Sequence, residues 1–192
     1  MAFDGITIAA IVRELHLNLD GGRFNKIAQP EADELLITGK GANGQCRLLL
    51  SASASLPLIY FTSKNKPSPM TAPNFCMLLR KHIGSARVSD IKQPGLERVV
   101  EFELEHLNEL GDPCKKVLIM ELMGKHSNII FCDDKNMILD SIKHVSSHMS
   151  SVREVLPGRE YFIPQTQDKL DPLTVSEELF REVEIGRASC RE

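Results

Sequence analysis

The chain has 192 residues, 42% of them hydrophobic and 26% charged, with a formal net charge of -3. That length holds one sizeable domain with its own core, and the composition is ordinary for a globular protein. The acidic balance is not that of a dedicated nucleic-acid binder, so an RNA partner would have to be met by local basic patches or by a domain beyond this chain; no run approaches about 18 consecutive apolar residues, which excludes a membrane-spanning helix.

The chain opens on Met1-Ala2-Phe3-Asp4-Gly5, which lacks the basic stretch of a signal peptide. It therefore reads as cytoplasmic. Residues 5–19 are expected to be helical: Ile8, Ile11, Val12 and Leu15 fall near the 3.6 period, Asp4 stands at the N-cap position, and Gly21-Gly22 ends the segment. The period then shortens. "RFNKIAQ", "DELLITGK", "GQCRLLLSAS" and "PLIYFTS" are strand-like runs divided by Pro, Gly and Asn. "APNFCMLLRKHIGSA" returns to helix, with Pro73 in its first turn, Phe75, Leu78, Leu79 and His82 on one face, and Gly84 at its end. Five further strand patterns follow: "ARVSDIKQ", "LERVVEFELEHL", "KKVLIMELM", "NIIFCDD" and "MILDSIKHV". Asp133-Asp134-Lys135-Asn136 reads as a hairpin turn. "VREVLPGREYFIP" is extended and broken by Pro157-Gly158 and Pro164, and a short acidic helix is expected from near Asp171-Pro172. The expected fold is α+β: two helices embedded in a mostly antiparallel β-sandwich. The last nine residues, 184–192, do not continue the pattern and read as a tail foreign to the protein, joined to the front piece of a longer one.

Several motifs point to less than they spell. Gly124-Lys125-His126-Ser127 has the core of a phosphate loop, but the Walker pattern needs a Gly at 119, where Ile stands, and a strand rather than a helix follows. It reads as a tight turn. "GKGANG", residues 39–44, matches a dinucleotide fingerprint in letters only, since a strand pattern follows it too. It reads as a hairpin loop. Cys46, Cys76, Cys114, Cys132 and Cys190 are odd in number and form no C-x-x-C pair, so free thiols are expected rather than a disulfide framework or zinc site. His144 and His148 have helical ligand spacing without a flanking Glu, and no metal site is expected. Arg80-Lys81-His82 close the second helix, where cations also complement the helix dipole.

Five segments, in order and spacing, carry a resemblance to a family: "FDGITI" at 3–8, "FCMLLRKHIGSA" at 75–86, "QPGLERVVEFEL" at 93–104, "ELMGKHSNIIF" at 121–131 and "REVLPGREYFIPQTQDKLDP" at 153–172. Together they resemble the N-terminal domain of the NFACT proteins, ribosome quality-control factors of the bacterial RqcH type that are also known as fibronectin-binding proteins. The resemblance places that domain at 1–175, the start of a connecting helix at 176–183 and the foreign tail at 184–192. It implies a fold like the N-terminal domain of formamidopyrimidine-type DNA glycosylases. It also implies a role in which the whole protein, monomeric and without cofactor or membrane partner, binds the large ribosomal subunit, tRNA and the peptidyl-tRNA-linked nascent chain. Family members recruit aminoacyl-tRNA, alanyl in bacteria, for C-terminal tailing without mRNA; such a protein is not an enzyme in its own right. A fibronectin- or fibrinogen-binding adhesin is the alternative. A glycosylase is a weaker one, because the nucleophilic N-terminal Pro is replaced by Ala2 even after loss of Met1.

By the same resemblance, the tRNA-binding residues fall on Asp4 of the "FDG" motif and on Glu97 and Arg98, where the family carries Asp-Arg. Glu97 departs by one methylene. An Arg grips phosphate or a base edge in two-point geometry, and a neighbouring carboxylate can orient it. Side chains alternate along a strand, so adjacent residues share a ligand only at an irregular start, which Pro94-Gly95 makes available. Arg80, Lys81, Lys125 and His126 are further candidates for RNA contact.

Overall fold

A computed structural model describes residues 3–108, 110–164, 175–179 and 181. By contacts the chain divides into Met1–Phe162 and Ile163–Glu192. In the second unit, Glu177–Leu179 and Arg181 are helical. The helix start expected near Asp171-Pro172 and the tail 184–192 lie outside the described residues.

The first unit runs in the expected order. Helix α1 spans Gly5–Leu19 and is N-capped by Asp4. Strands β1 (Arg23–Ala28), β2 (Glu34–Gly41), β3 (Gly44–Ser51) and β4 (Leu58–Phe61) follow. Helix α2, Asn74–Ile83, begins one residue after Pro73, and β5 (Arg87–Lys92), β6 (Val99–Leu107), β7 (Pro113–Glu121), β8 (Asn128–Asp133) and β9 (Ile138–Ser141) complete it. The face that α2 buries is Phe75, Cys76, Leu79 and Ile83; Leu78 and His82, expected on that face, are only half-buried. The hydrophobic stripe thus lies about one position round from the expected one, because Ile83 and Cys76 pack inward.

The expected pair of packed sheets is instead one sheet. All nine strands are hydrogen-bonded in the order β4-β3-β2-β1-β5-β6-β7-β8-β9, every pair antiparallel. Its halves meet at a single register pair, Arg23 with Arg87. Around it Phe24 N donates to Ala86 O at 3.0 Å, Ser85 N to Phe24 O at 2.7 Å and Val88 N to Gly22 O at 2.8 Å. A sequence can specify two half-sheets while leaving open whether their edges pair, and here these few backbone bonds close the gap. One face of both halves, with both helices, makes the core: Phe24, Ile37, Leu48 and Leu50 from one half, Phe102, Leu118 and Phe131 from the other, and Ile8, Leu15 and Leu79 from the helices. The rings of Phe24 and Phe102 stand 6.2 Å apart across the two halves.

Candidate functional site

The corner begins at the first residues of α1. Asp4 Oδ1 accepts from Thr7 N at 2.7 Å, which ends the helix cleanly and leaves the carboxylate at the surface. That hydrogen bond, first among its causes, holds the Asp4 carboxyl below the usual carboxylate range. The next residue is Gly because the backbone of Leu96 lies against it: a Cβ there would stand 2.2 Å from Leu96 O. Gln93, in the loop that leaves β5, ties the two segments. Its Nε2 donates to Gly5 O at 2.8 Å and to Glu97 O at 2.9 Å. Between these anchors Gly95 takes a φ of +54°, and Glu97 N donates to Pro94 O at 3.0 Å to close a turn. Glu97 and Arg98 therefore precede β6 in an irregular stretch, both half-buried, as the Pro94-Gly95 reading anticipated. Among the described residues the Arg98 guanidinium enters no ion pair, so its fork is available to a ligand.

The next turn lies beside this corner. Leu122 N donates to Arg98 O at 2.9 Å, and Val99 is the register partner of Glu121. Two residues on, Gly124–His126 form a single 3-10 turn, with Gly124 at φ +59°. This is the tight turn expected of the Gly-Lys-His-Ser motif, and Lys125 and His126 are exposed on it. Asn128 carries the structural load. Its Oδ1 accepts from Ile129 N at 2.9 Å and Lys143 N at 3.1 Å, and its Nδ2 donates to Lys143 O at 2.9 Å. Ser127 does not share that work: its Oγ is buried without a partner among the described residues. Lys143 Nζ donates to Ser127 O and Ala52 O, which pins the turn to the other half of the sheet.

Arg80 and Lys81 stand apart from the corner. They close α2, which leads through Gly84 into the start of β5, whereas the Gln93–Arg98 loop leaves the far end of that strand, about 20 Å away at about 3.3 Å per residue. Arg80 Nε also donates to Ile27 O at 2.7 Å, which fastens α2 to β1. His144 is not helical; its Nε2 lies 2.6 Å from Asp140 Oδ1. Among the described residues no His, Cys, Asp and Glu cluster could hold a metal, and Cys46, Cys76, Cys114 and Cys132 are free thiols.

A buried polar cluster behind the corner escaped the sequence reading. Glu121, at the end of β7, is 0% exposed. Arg153 Nη2 grips both its oxygens, at 2.6 and 2.5 Å, and the Tyr161 hydroxyl donates to Oε1 at 3.0 Å. Arg153 also lies 5.5 Å over the Tyr161 ring, and its Nη1 donates to Phe162 O at 2.7 Å. Burial first, and then the neighbouring carboxylate, push the Tyr161 phenol far above its ordinary range. The available signal was a Glu inside the apolar run "VLIMELM": a buried carboxylate requires a cation partner.

These features now meet the known proteins. The chain belongs to the family of NFACT N-terminal and middle domains, whose model matches residues 4–189. It is 42% identical over 181 residues to the Rqc2 homolog RqcH of Bacillus subtilis (strain 168), covering 93% of this chain and 31% of that protein. It is 28% identical over 151 residues to the human ribosome quality control complex subunit NEMF, covering 79% of this chain and 13% of that one. Among solved structures, the N-terminal domain of the fibronectin-binding protein PavA from Streptococcus pneumoniae superposes with a TM-score of 0.88 at 37% identity, over 96% of this chain and 69% of that one. The fibrinogen binding protein from Staphylococcus aureus gives 0.81 at 32% identity, over 92% and 61%. The chain spans about a third of the length of the curated bacterial relatives. No helix among the described residues is long and apolar enough to cross a membrane.

Proposed function

We propose that the chain is the N-terminal part of a cytoplasmic ribosome quality-control factor, and that Asp4, Glu97 and Arg98 form its tRNA contact. The domain, over 1–175, leads through a connecting helix from 176 into the remainder of the protein. The whole protein binds large ribosomal subunits that still carry peptidyl-tRNA, recruits aminoacyl-tRNA, alanyl in the bacterial manner, and extends the nascent chain without mRNA. The domain does no bond chemistry of its own; peptidyl transfer falls to ribosomal RNA. Relatives named for ribosome quality control support this reading. The observation that carries it is the Gln93 tie, which brings the start of α1 and the Glu97-Arg98 turn to one corner. A guanidinium with no ion-pair partner among the described residues, on a segment tied to the one that carries Asp4, suits two-point recognition of a phosphate or base edge.

The test is tail formation on a stalled reporter by the full-length parent. Arg98→Ala is expected to abolish tailing while co-sedimentation with large subunits and the thermal melt stay unchanged. Arg98→Lys fails as well, because an ammonium lacks the fork, and Glu97→Asp, which restores the family residue, retains tailing. Normal tailing by Arg98→Ala would remove the pair from the site. The second reading, an adhesin, rests on the names of the solved structures. Saturable fibronectin binding at the cell surface, indifferent to Arg98→Ala, together with no sedimentation on split subunits, would favour it.

A further inference from the structure

The face of β1–β4 that turns away from the core gathers positive charge. Ile27, Ile37 and Leu48 point into the core, so Lys26, Thr38 and Arg47, their chain neighbours, face outward. They form one row, since Lys26 is the register partner of Thr38 and Thr38 that of Arg47. A second row crosses beside it and ends on β5: Lys40 pairs with Arg23, and Arg23 with Arg87, whose partner on the far side is Glu105, itself paired with Lys115. Neighbouring strands lie about 4.8 Å apart and same-face residues on one strand about 6.7 Å apart, so the five cations share a compact plateau. All but Arg47 are exposed, and among the described residues none of the five forms an ion pair. Glu34, the outward carboxylate on β2, sits at the other end of the strand and is paired with Lys66. Acidic side chains cluster instead on β5 and β6, where Lys92 is paired with Asp90 and Glu103, and on β7 Lys115 is paired with Glu105.

A solvated surface does not account for this. Like charges opposed on adjacent strands destabilise a sheet, and here Arg87, Arg23 and Lys40 stand in direct succession. Lysines that guard a sheet against aggregation belong on its edges, whereas β1 and β2 lie inside the nine-strand order. The arrangement sits in a chain of net charge -3, so it is local and not a by-product of a basic composition. Next to the cations Ala28, Leu36 and Leu49 form an apolar strip that is itself buried, with Asn65–Ser68 lying against Ala28, Leu36 and the adjoining Lys26 and Thr38, and the strip runs on to Tyr60, which is 44% exposed.

We infer that this face binds the phosphate backbone of double-helical RNA, as a second RNA contact distinct from the Asp4, Glu97 and Arg98 corner. Cations in neighbouring rows on one face of a sheet satisfy a phosphate array without reading sequence, which is how a duplex with its bases stacked inside is met. Binding there supplies affinity and orientation, while the corner supplies selection. The inference needs only that the chain meets RNA, and it does not depend on tailing.

The experiment measures binding of a fluorescein-labelled 12-base-pair RNA hairpin to the 192-residue chain by anisotropy across a salt series. The variant R23Q/K26Q/K40Q/R47Q is expected to weaken binding at least tenfold at low salt and to flatten the slope of log Kd against log salt by about 2 to 3, from lost counterion release. Lys92→Gln with Lys115→Gln, which removes cations already paired with carboxylates, leaves both unchanged. Thr38→Glu, one carboxylate inside the row, weakens binding without removing any cation and guards against a folding artefact, as do matched thermal melts. Unchanged affinity and slope in the fourfold variant would overturn the inference. So would a loss confined to anionic lipid vesicles with hairpin binding intact, which would make the face a membrane contact. Hairpin binding is read on the chain alone with the plateau variants, and tailing on the full-length parent with Arg98→Ala, so failure here and failure of the tailing assay are separate results.

Discussion

At the scale of single residues, the carboxylate of Glu121 depends most on its surroundings. It is wholly buried and held by the Arg153 fork and the Tyr161 hydroxyl. Arg153→Met is expected to cost about 3–5 kcal/mol in denaturant unfolding, because it strands a buried charge. The same region sets the alkaline limit. Burial, before the charges around it, raises the Cys132 thiol to about 12, and burial raises the Tyr161 phenol as well. Both groups keep their protons in the folded chain at pH values where the unfolded chain releases them. Their contribution is therefore complete below the unfolded values, about 8.5 for a thiol and about 10 for a phenol, and is lost as pH rises beyond them. The denaturation midpoint should fall from about pH 9 upward. Cys132→Ala should flatten the first part of that decline and Tyr161→Phe the part above about pH 10. A wild-type midpoint constant to pH 11 would contradict this.

At the scale of elements, the proposed corner rests on α1 and the β5–β6 loop touching backbone to backbone. Gly5→Ala leaves Asp4, Glu97 and Arg98 untouched, yet its Cβ would meet Leu96 O, a backbone atom that cannot swing aside. The expected result is a destabilisation of about 1–3 kcal/mol and a loss of tailing in the full-length parent, since the Gln93 tie between Gly5 O and Glu97 O is broken. Thermal melts and the stalled-reporter assay measure the two effects. Full tailing by Gly5→Ala would show that the corner need not be assembled. The elements themselves were legible because each carries its own period: α1 is bounded by the expected residues, and the Asp133–Asn136 hairpin closes with Asp133 Oδ1 accepting from Lys135 N and Met137 N. The inward face of α2 was legible only in part, because packing against β1 and β6 decided between Leu78 and Cys76 as core residues.

At the scale of the whole first unit, the halves of the sheet share one core although only one register pair joins them. Phe24 and Phe102 are both 0% exposed and pack on each other across that joint. Phe102→Ala should cost about 3–5 kcal/mol, and the loss should appear in both halves together. In amide exchange on the chain, β2–β3 and β7–β8 should lose protection by the same factor. Selective loss on β7–β8 alone would mean that the halves unfold as separate units despite the common core.

Composition and pattern by themselves determined the α+β class, the order of helices and strands and the turn nature of Gly124–Ser127, while Asp4, Glu97 and Arg98 were singled out only by the resemblance to the family. Class, order and turn depend on side-chain period, on caps and on turn chemistry, all of which act within a few residues. Tertiary structure alone decided the rest. It joined the strands into one sheet through a few backbone bonds between β1 and β5, and it set Gly5 against a loop 88 residues away through Gln93. It also delivered Arg153 to Glu121 and aligned Arg23, Lys26, Lys40, Arg47 and Arg87 on one face. Each of these depends on the register between segments remote in sequence, which the hydrogen-bond ladders and the shared core select together and which no local period encodes.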